Sequence, residues 1–158
     1  MDDVGNELLP SGRFVSGTTS TPIGELKVIC VCIPWRDAHV HTGQRNRKLW
    51  EEHLAYLNGL REVLSRQKEA TIVIGDYNQR IPKLGQPVEV YNALQSAFEG
   101  FEVATQGKAP GLGVQLIDHL AHSPDLQATW CECWPNVSQD SLYLSDHPGF
   151  CMVVWRKL

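Results

Sequence analysis

The sequence lacks any apolar run near the roughly 18 residues that a membrane helix needs. Its longest strongly apolar stretches are Val28–Trp35 and Thr71–Gly75. The first ten residues, MDDVGNELLP, hold neither a basic cluster nor an apolar segment, so no secretory leader is expected. Neither sign of charge dominates: 14 Lys plus Arg stand against 18 Asp plus Glu, net −4. That excludes a broad cationic face for coating duplex nucleic acid, though not a nuclease, which must release its product. Cysteine is sparse and odd in number, five in all, which without a leader predicts reduced thiols rather than a disulfide framework. The Asn136–Ser138 glycosylation sequon is then incidental, and an intracellular, cytoplasmic protein is expected.

What is present is an ordinary globular balance, 42% hydrophobic and 20% charged over 158 residues. This excludes a disordered, collagenous or bare coiled-coil chain. A globule of this size buries roughly 70% of its unfolded surface, so one domain over 1–158 is expected without metal or disulfide staples. Leu26–Ile33 (LKVICVCI) is apolar at nearly every position and predicts a central strand covered on both faces. Trp50, Leu54, Leu57, Leu60 and Leu64 recur at helical spacing and predict a helix over about 46–66. Thr71–Gly75 predicts a short buried strand that delivers Asp76 into a loop, and Pro87–Phe98 a second helix with proline in its first turn. Strands follow at Glu102–Thr105, Val114–Ala121, Gln127–Cys133 and Pro148–Arg156. The order predicts a layered α/β or α+β domain. Charge is uneven: residues 36–68 carry seven basic and four acidic side chains, residues 69–158 five and ten.

The candidate chemistry lies in that acidic half. Gly75-Asp76-Tyr77-Asn78, Ile117-Asp118-His119 and Ser145-Asp146-His147 each place acids, amides or imidazoles just after or within a predicted strand. An Asp after a strand is commonly only a turn former, so each segment alone says little. Together, and in this order, they resemble the endonuclease/exonuclease/phosphatase superfamily: its GD(F/Y)N segment at 75–78, its (I/L)DH segment at 117–119 and its terminal SDH at 145–147. The resemblance implies a four-layer α/β/β/α sandwich of two packed mixed sheets, and a phosphodiester hydrolase, most readily a nuclease acting on DNA or RNA. It implies that Asp76 activates water, that Asn78 donates its amide to the phosphoryl group, and that His147 stabilises developing charge while Asp118 orients it. Asp146 and Asp76 would hold Mg²⁺, or Mn²⁺ in its place, hard cations suited to oxygen donors.

Strand geometry sends Asp118 and His119 to opposite faces, so one of them is structural, and the family pattern favours Asp118 for the site. Weaker substrate-binding candidates are Trp35, Arg36, His39, His41 and Arg45, in the loop where family members often place a histidine. Cys30/Cys32 and Cys131/Cys133 would space their sulfurs too widely along a strand for one zinc, and are expected to be buried free thiols. The family's early Asn and metal-binding Glu strands are not recognisable: Glu7 and Glu25 are the only early glutamates, and neither follows an apolar strand. The chain therefore reads as the C-terminal two-thirds of the family domain. Exposed sheet edges would then invite self-association or a partner chain. Two other readings stay open, a catalytically silent relic or interaction domain of the same fold and a phospholipid or inositol phosphate hydrolase.

Overall fold

The computed structural model describes residues 9, 10 and 12–157; Glu7 lies outside them. Its element order is β1 (Phe14–Thr21), β2 (Gly24–Cys32), α1 (Glu51–Leu64), β3 (Thr71–Asp76), α2 (Val88–Ala97), β4 (Glu102–Val103), β5 (Asp118–His122), β6 (Leu126–Trp134) and β7 (Gly149–Arg156). Five strands form a mixed sheet in the order β1-β2-β3-β5-β4, and β6 and β7 form a second, antiparallel sheet. The β2–β3 pair is parallel, as the α1 crossover between them requires, and the other neighbours are antiparallel. Among the described residues no helix is long and apolar enough to cross a membrane.

Strand alternation decides what the large sheet buries. Ile29, Val31, Val73 and Ala121 point to one face, where Tyr56, Leu57, Leu60 and Leu64 of α1 and Leu94 and Ala97 of α2 pack against them in one continuous core. The opposite face is covered at one end only, where Leu126 of β6 and Val154 of β7 meet Leu26, Val28 and Ile72. Arg156 fastens that end, its guanidinium donating to Ile23 O at 2.7 Å and Glu25 O at 3.1 Å and reaching Asp125 Oδ2 at 3.3 Å.

Three expectations are corrected here. β2 is not covered on both faces: Cys30 is exposed and Val28 and Cys32 are half-buried, because the two-stranded sheet does not reach along the whole strand. The cysteines are free but not buried, with Cys30, Cys131 and Cys151 exposed and Cys32 and Cys133 intermediate. Finally, α1 begins at Glu51 rather than near Asn46, because Trp50 takes a left-handed conformation (φ 66°) that no helix can propagate through. Glu51 and Glu52 then fall in the first turn, where their charge opposes the helix dipole favourably.

Candidate active site

The three motifs converge at one end of the large sheet. Asp76 closes β3 and Asp118 opens β5, and the two are register partners across the antiparallel ladder, so both side chains stand on one face. Tyr77 turns the other way: its ring is fully buried, stacks on Phe98 at 4.7 Å between centroids and donates its hydroxyl to Val73 O at 3.0 Å. That aromatic plug anchors the chain between two site residues. Asn78 follows in a left-handed conformation (φ 52°) that asparagine tolerates better than most residues. Gly75 is held at φ 143°, where an added Cβ would lie 2.0 Å from Val31 O. Only glycine lets β2 and β3 approach this closely.

Asp76 is gripped by its neighbour. The backbone N–H of Asn78 donates to Oδ1 and its side-chain amide to Oδ2, both at 2.8 Å, and the same amide nitrogen donates to Ile33 O at 2.9 Å. Both amide hydrogens are therefore engaged, which corrects the expectation that Asn78 offers its amide to a phosphoryl group. It holds the Asp76 carboxylate instead. Burial raises the Asp76 carboxyl above the ordinary carboxylate range, opposed by the Asn78 N–H and reinforced by the Asp118 charge.

His147 arrives from the segment joining β6 and β7. Its Nδ1 lies 2.6 Å from Asp118 Oδ2 and its Nε2 3.2 Å from Asp146 Oδ1. Burial also raises the Asp118 carboxyl, with the His147 imidazole opposing the shift. Asp146 stands at 90% side-chain exposure and touches His147 rather than Asp76. Among the described residues no group of three or more His, Cys, Asp or Glu side chains gathers as a metal-donor set, while the Asp146 charge also acts on Asp76.

The fold that carries this pair of half-buried carboxylates, the asparagine clamp and the imidazole is shared with solved structures. Over 90% of the chain the structure superposes on an endonuclease/exonuclease/phosphatase from Beutenbergia cavernae, with TM-score 0.54 and 16% identity. It superposes over 99% on a beta toxin from Staphylococcus aureus, with TM-score 0.54 and 12% identity. This chain has the endonuclease/exonuclease/phosphatase fold. It spans 39% of the first protein's length and 61% of the second's. No protein-family model and no curated protein matches the sequence.

The weaker candidates divide. Arg36 lines a cleft that contains Asn78, though its Nε is paired with Asp37 Oδ2 at 2.9 Å. Trp35, His41 and Arg45 do not line that cleft. His39 is turned to α1, with Nδ1 2.8 Å from Glu52 Oε1. Arg80, two residues beyond Asn78, lines the same cleft and was given no role by sequence reasoning. Its signal was position alone, a cation just after the asparagine of the first motif.

Beneath the site of this endonuclease/exonuclease/phosphatase fold lies a buried polar network. His53 Nδ1–H donates to Pro34 O at 2.7 Å and its Nε2 accepts from Gln79 at 2.8 Å. His119 Nε2–H donates to Gln79 O at 2.9 Å and its Nδ1 accepts from Thr105 at 2.8 Å. His119 thus sits under the sheet, on the face opposite Asp118, as alternation requires. Burial lowers both imidazoles to about 4 from an ordinary 6.5. Between about 4 and 6.5 the unfolded chain binds the protons that the folded chain refuses, so stability falls as pH drops through that window and is fully present above it. The raised Asp76 and Asp118 carboxyls act oppositely at the acid end, where the folded state takes up protons more readily. The urea midpoint is expected to drop clearly between pH 7 and pH 5; a flat midpoint would contradict neutral buried histidines.

Proposed function

We propose that this chain is a phosphodiester hydrolase, with nucleic acid as its first-choice substrate. The observation that carries the reading is the register pairing of half-buried Asp76 with Asp118, which in turn contacts His147, on one face at one sheet end. A half-buried carboxylate raised above the ordinary carboxylate range is a better base for water than an exposed one. Asp76 takes the proton of the attacking water as its oxygen bonds to phosphorus, and the ester P–O bond breaks with the departing alkoxide taking a proton from solvent. Asn78 fixes the carboxylate in place through its backbone N–H and side-chain amide. His147 meets the phosphoryl oxygen through Nε2, where the exposed Asp146 oxygen now lies, and Asp118 holds the ring from the other side.

The donor chemistry fits Mg²⁺ in part. Asp76 and Asp118 offer hard oxygens, and the Asp118 charge that raises Asp76 is one a bound cation would offset. Bound there, Mg²⁺ or Mn²⁺ would neutralise charge on the non-bridging oxygens, water and substrate completing its coordination. Wild type should hydrolyse single-stranded DNA, plasmid and bis-p-nitrophenyl phosphate in Mg²⁺, with EDTA removing the activity. Hydrolysis of none of these, with intact folding, would leave an inactive domain of this fold.

One observation favours a lipid substrate. Leu142, Tyr143 and Leu144 are 65, 82 and 69% exposed, immediately before Ser145–His147. Three consecutive exposed apolar side chains beside a site suit an interfacial surface. Under that second reading phosphatidylcholine vesicles co-sediment the chain, and changing the three residues to serine releases it. No co-sedimentation would remove the reading.

A further inference from the structure

The cleft that opens from Asn78 is absorbed by neither the hydrolytic site nor the core. It measures about 420 Å³, in the range of pockets that hold small ligands. Its walls join the segment before α1, through Arg36, Leu49 and Trp50, to the segment after Asn78, through Arg80 and Leu84. Leu49 and Leu84 are 52 and 57% exposed, so its apolar surface faces solvent. The Arg80 side chain has no hydrogen-bond or ion-pair partner among the described residues.

The rim that carries Arg80 is nonetheless fixed. Gln86 Nε2–H donates to the Arg80 carbonyl at 2.7 Å, and Leu84 N–H donates to Gln86 Oε1 at 3.0 Å. Gln79 lies between Asn78 and Arg80 and is clamped by His53 and by Val90 O at 3.1 Å. A free guanidinium on a braced loop, two residues from the carboxylate clamp and in one cleft with exposed apolar walls, combines one anion donor with apolar surface. That is the pairing a nucleotide presents in its phosphate and base.

We infer that this cleft is a subsite for the nucleotide adjoining the scissile phosphate of single-stranded nucleic acid. Arg80 holds its phosphate, assisted by Arg36, and the Leu49, Trp50 and Leu84 walls receive its base. The inference rests on the phosphodiesterase reading for its link to turnover, but the subsite itself is a binding claim. It also makes long single strands better substrates than small diesters, which fill the hydrolytic site alone.

The test uses Arg80→Ala and Leu84→Ser in the full chain, with Lys68→Ala, exposed in the segment between α1 and β3, as the charge control. Fluorescence anisotropy with a labelled oligothymidine measures binding in the absence of turnover. Arg80→Ala should weaken it about tenfold and lower the salt slope by about one, while Lys68→Ala should not. In turnover, Arg80→Ala should lower kcat/KM for the oligonucleotide about tenfold more than for bis-p-nitrophenyl phosphate, mostly through KM. Anisotropy unchanged by Arg80→Ala and Leu84→Ser would overturn the subsite, as would binding of a soluble inositol polyphosphate with no binding of oligothymidine. Oligonucleotide binding that depends on Arg80, with no hydrolysis of any diester, would support the subsite while the catalytic reading fails.

Discussion

His147→Ala is expected to lower kcat on a phosphodiester by about 10³-fold, the usual scale for removing one donor to a developing oxyanion. The expectation follows from where the ring sits. Nδ1 approaches Asp118 Oδ2 at 2.6 Å, so the imidazole is set from behind, and Nε2 faces outward to the exposed Asp146 carboxylate. Removing the ring also removes the neighbour that offsets the burial of Asp118, so that carboxyl rises further. Asp118→Asn is expected to lower kcat by about 10²-fold, through a mis-set ring rather than a lost contact to substrate. Because the two act as one unit, the double variant should be no slower than His147→Ala alone within about threefold. Multiplying losses would mean that they act separately and would contradict the assigned pairing.

Gly75→Ala should be the most damaging small substitution near the site, costing about 3 kcal/mol or more of folding stability. Its φ of 143° is strained for any residue with a side chain, and the new methyl would meet Val31 O at 2.0 Å. Relief would require β2 and β3 to separate where Val31 and Gly75 are register partners, the ladder next to Asp76. Activity is therefore expected to fall in the folded fraction as well, since Ile33 N–H donates to Asp76 O at 2.8 Å and that tie depends on the same spacing. Urea unfolding of Gly75→Ala beside Gly85→Ala, at a glycine with no atom within 4 Å of its Cβ position, separates crowding from backbone preference. Equal losses at the two positions would contradict the close approach.

The grouping of Asp76, Asp118 and His147 was legible because each motif ties a polar side chain to a strand or its edge. Asp76 and Asp118 each mark a strand terminus, and alternation alone separates Asp118 from His119. Strand and helix types were legible from periodicity for the same reason, since α1 shows its apolar stripe and β2 its β-branched run. The misses share a cause, which is that they depend on neighbours distant in sequence. The exposure of Cys30 depends on how far the β6–β7 sheet extends over β2. The engagement of the Asn78 amide depends on Ile33, 45 positions earlier. The outward turn of Asp146 and the free guanidinium of Arg80 depend on which side chains face them, and no motif reports that.

The most direct measurement is hydrolysis of a short single-stranded DNA in Mg²⁺ by wild type beside Asp76→Ala, with circular dichroism showing both folded. The account predicts cleavage by wild type and a loss of at least about 10³-fold in the variant, since the group taking the water proton is gone. Cleavage at the same rate by both proteins would contradict it.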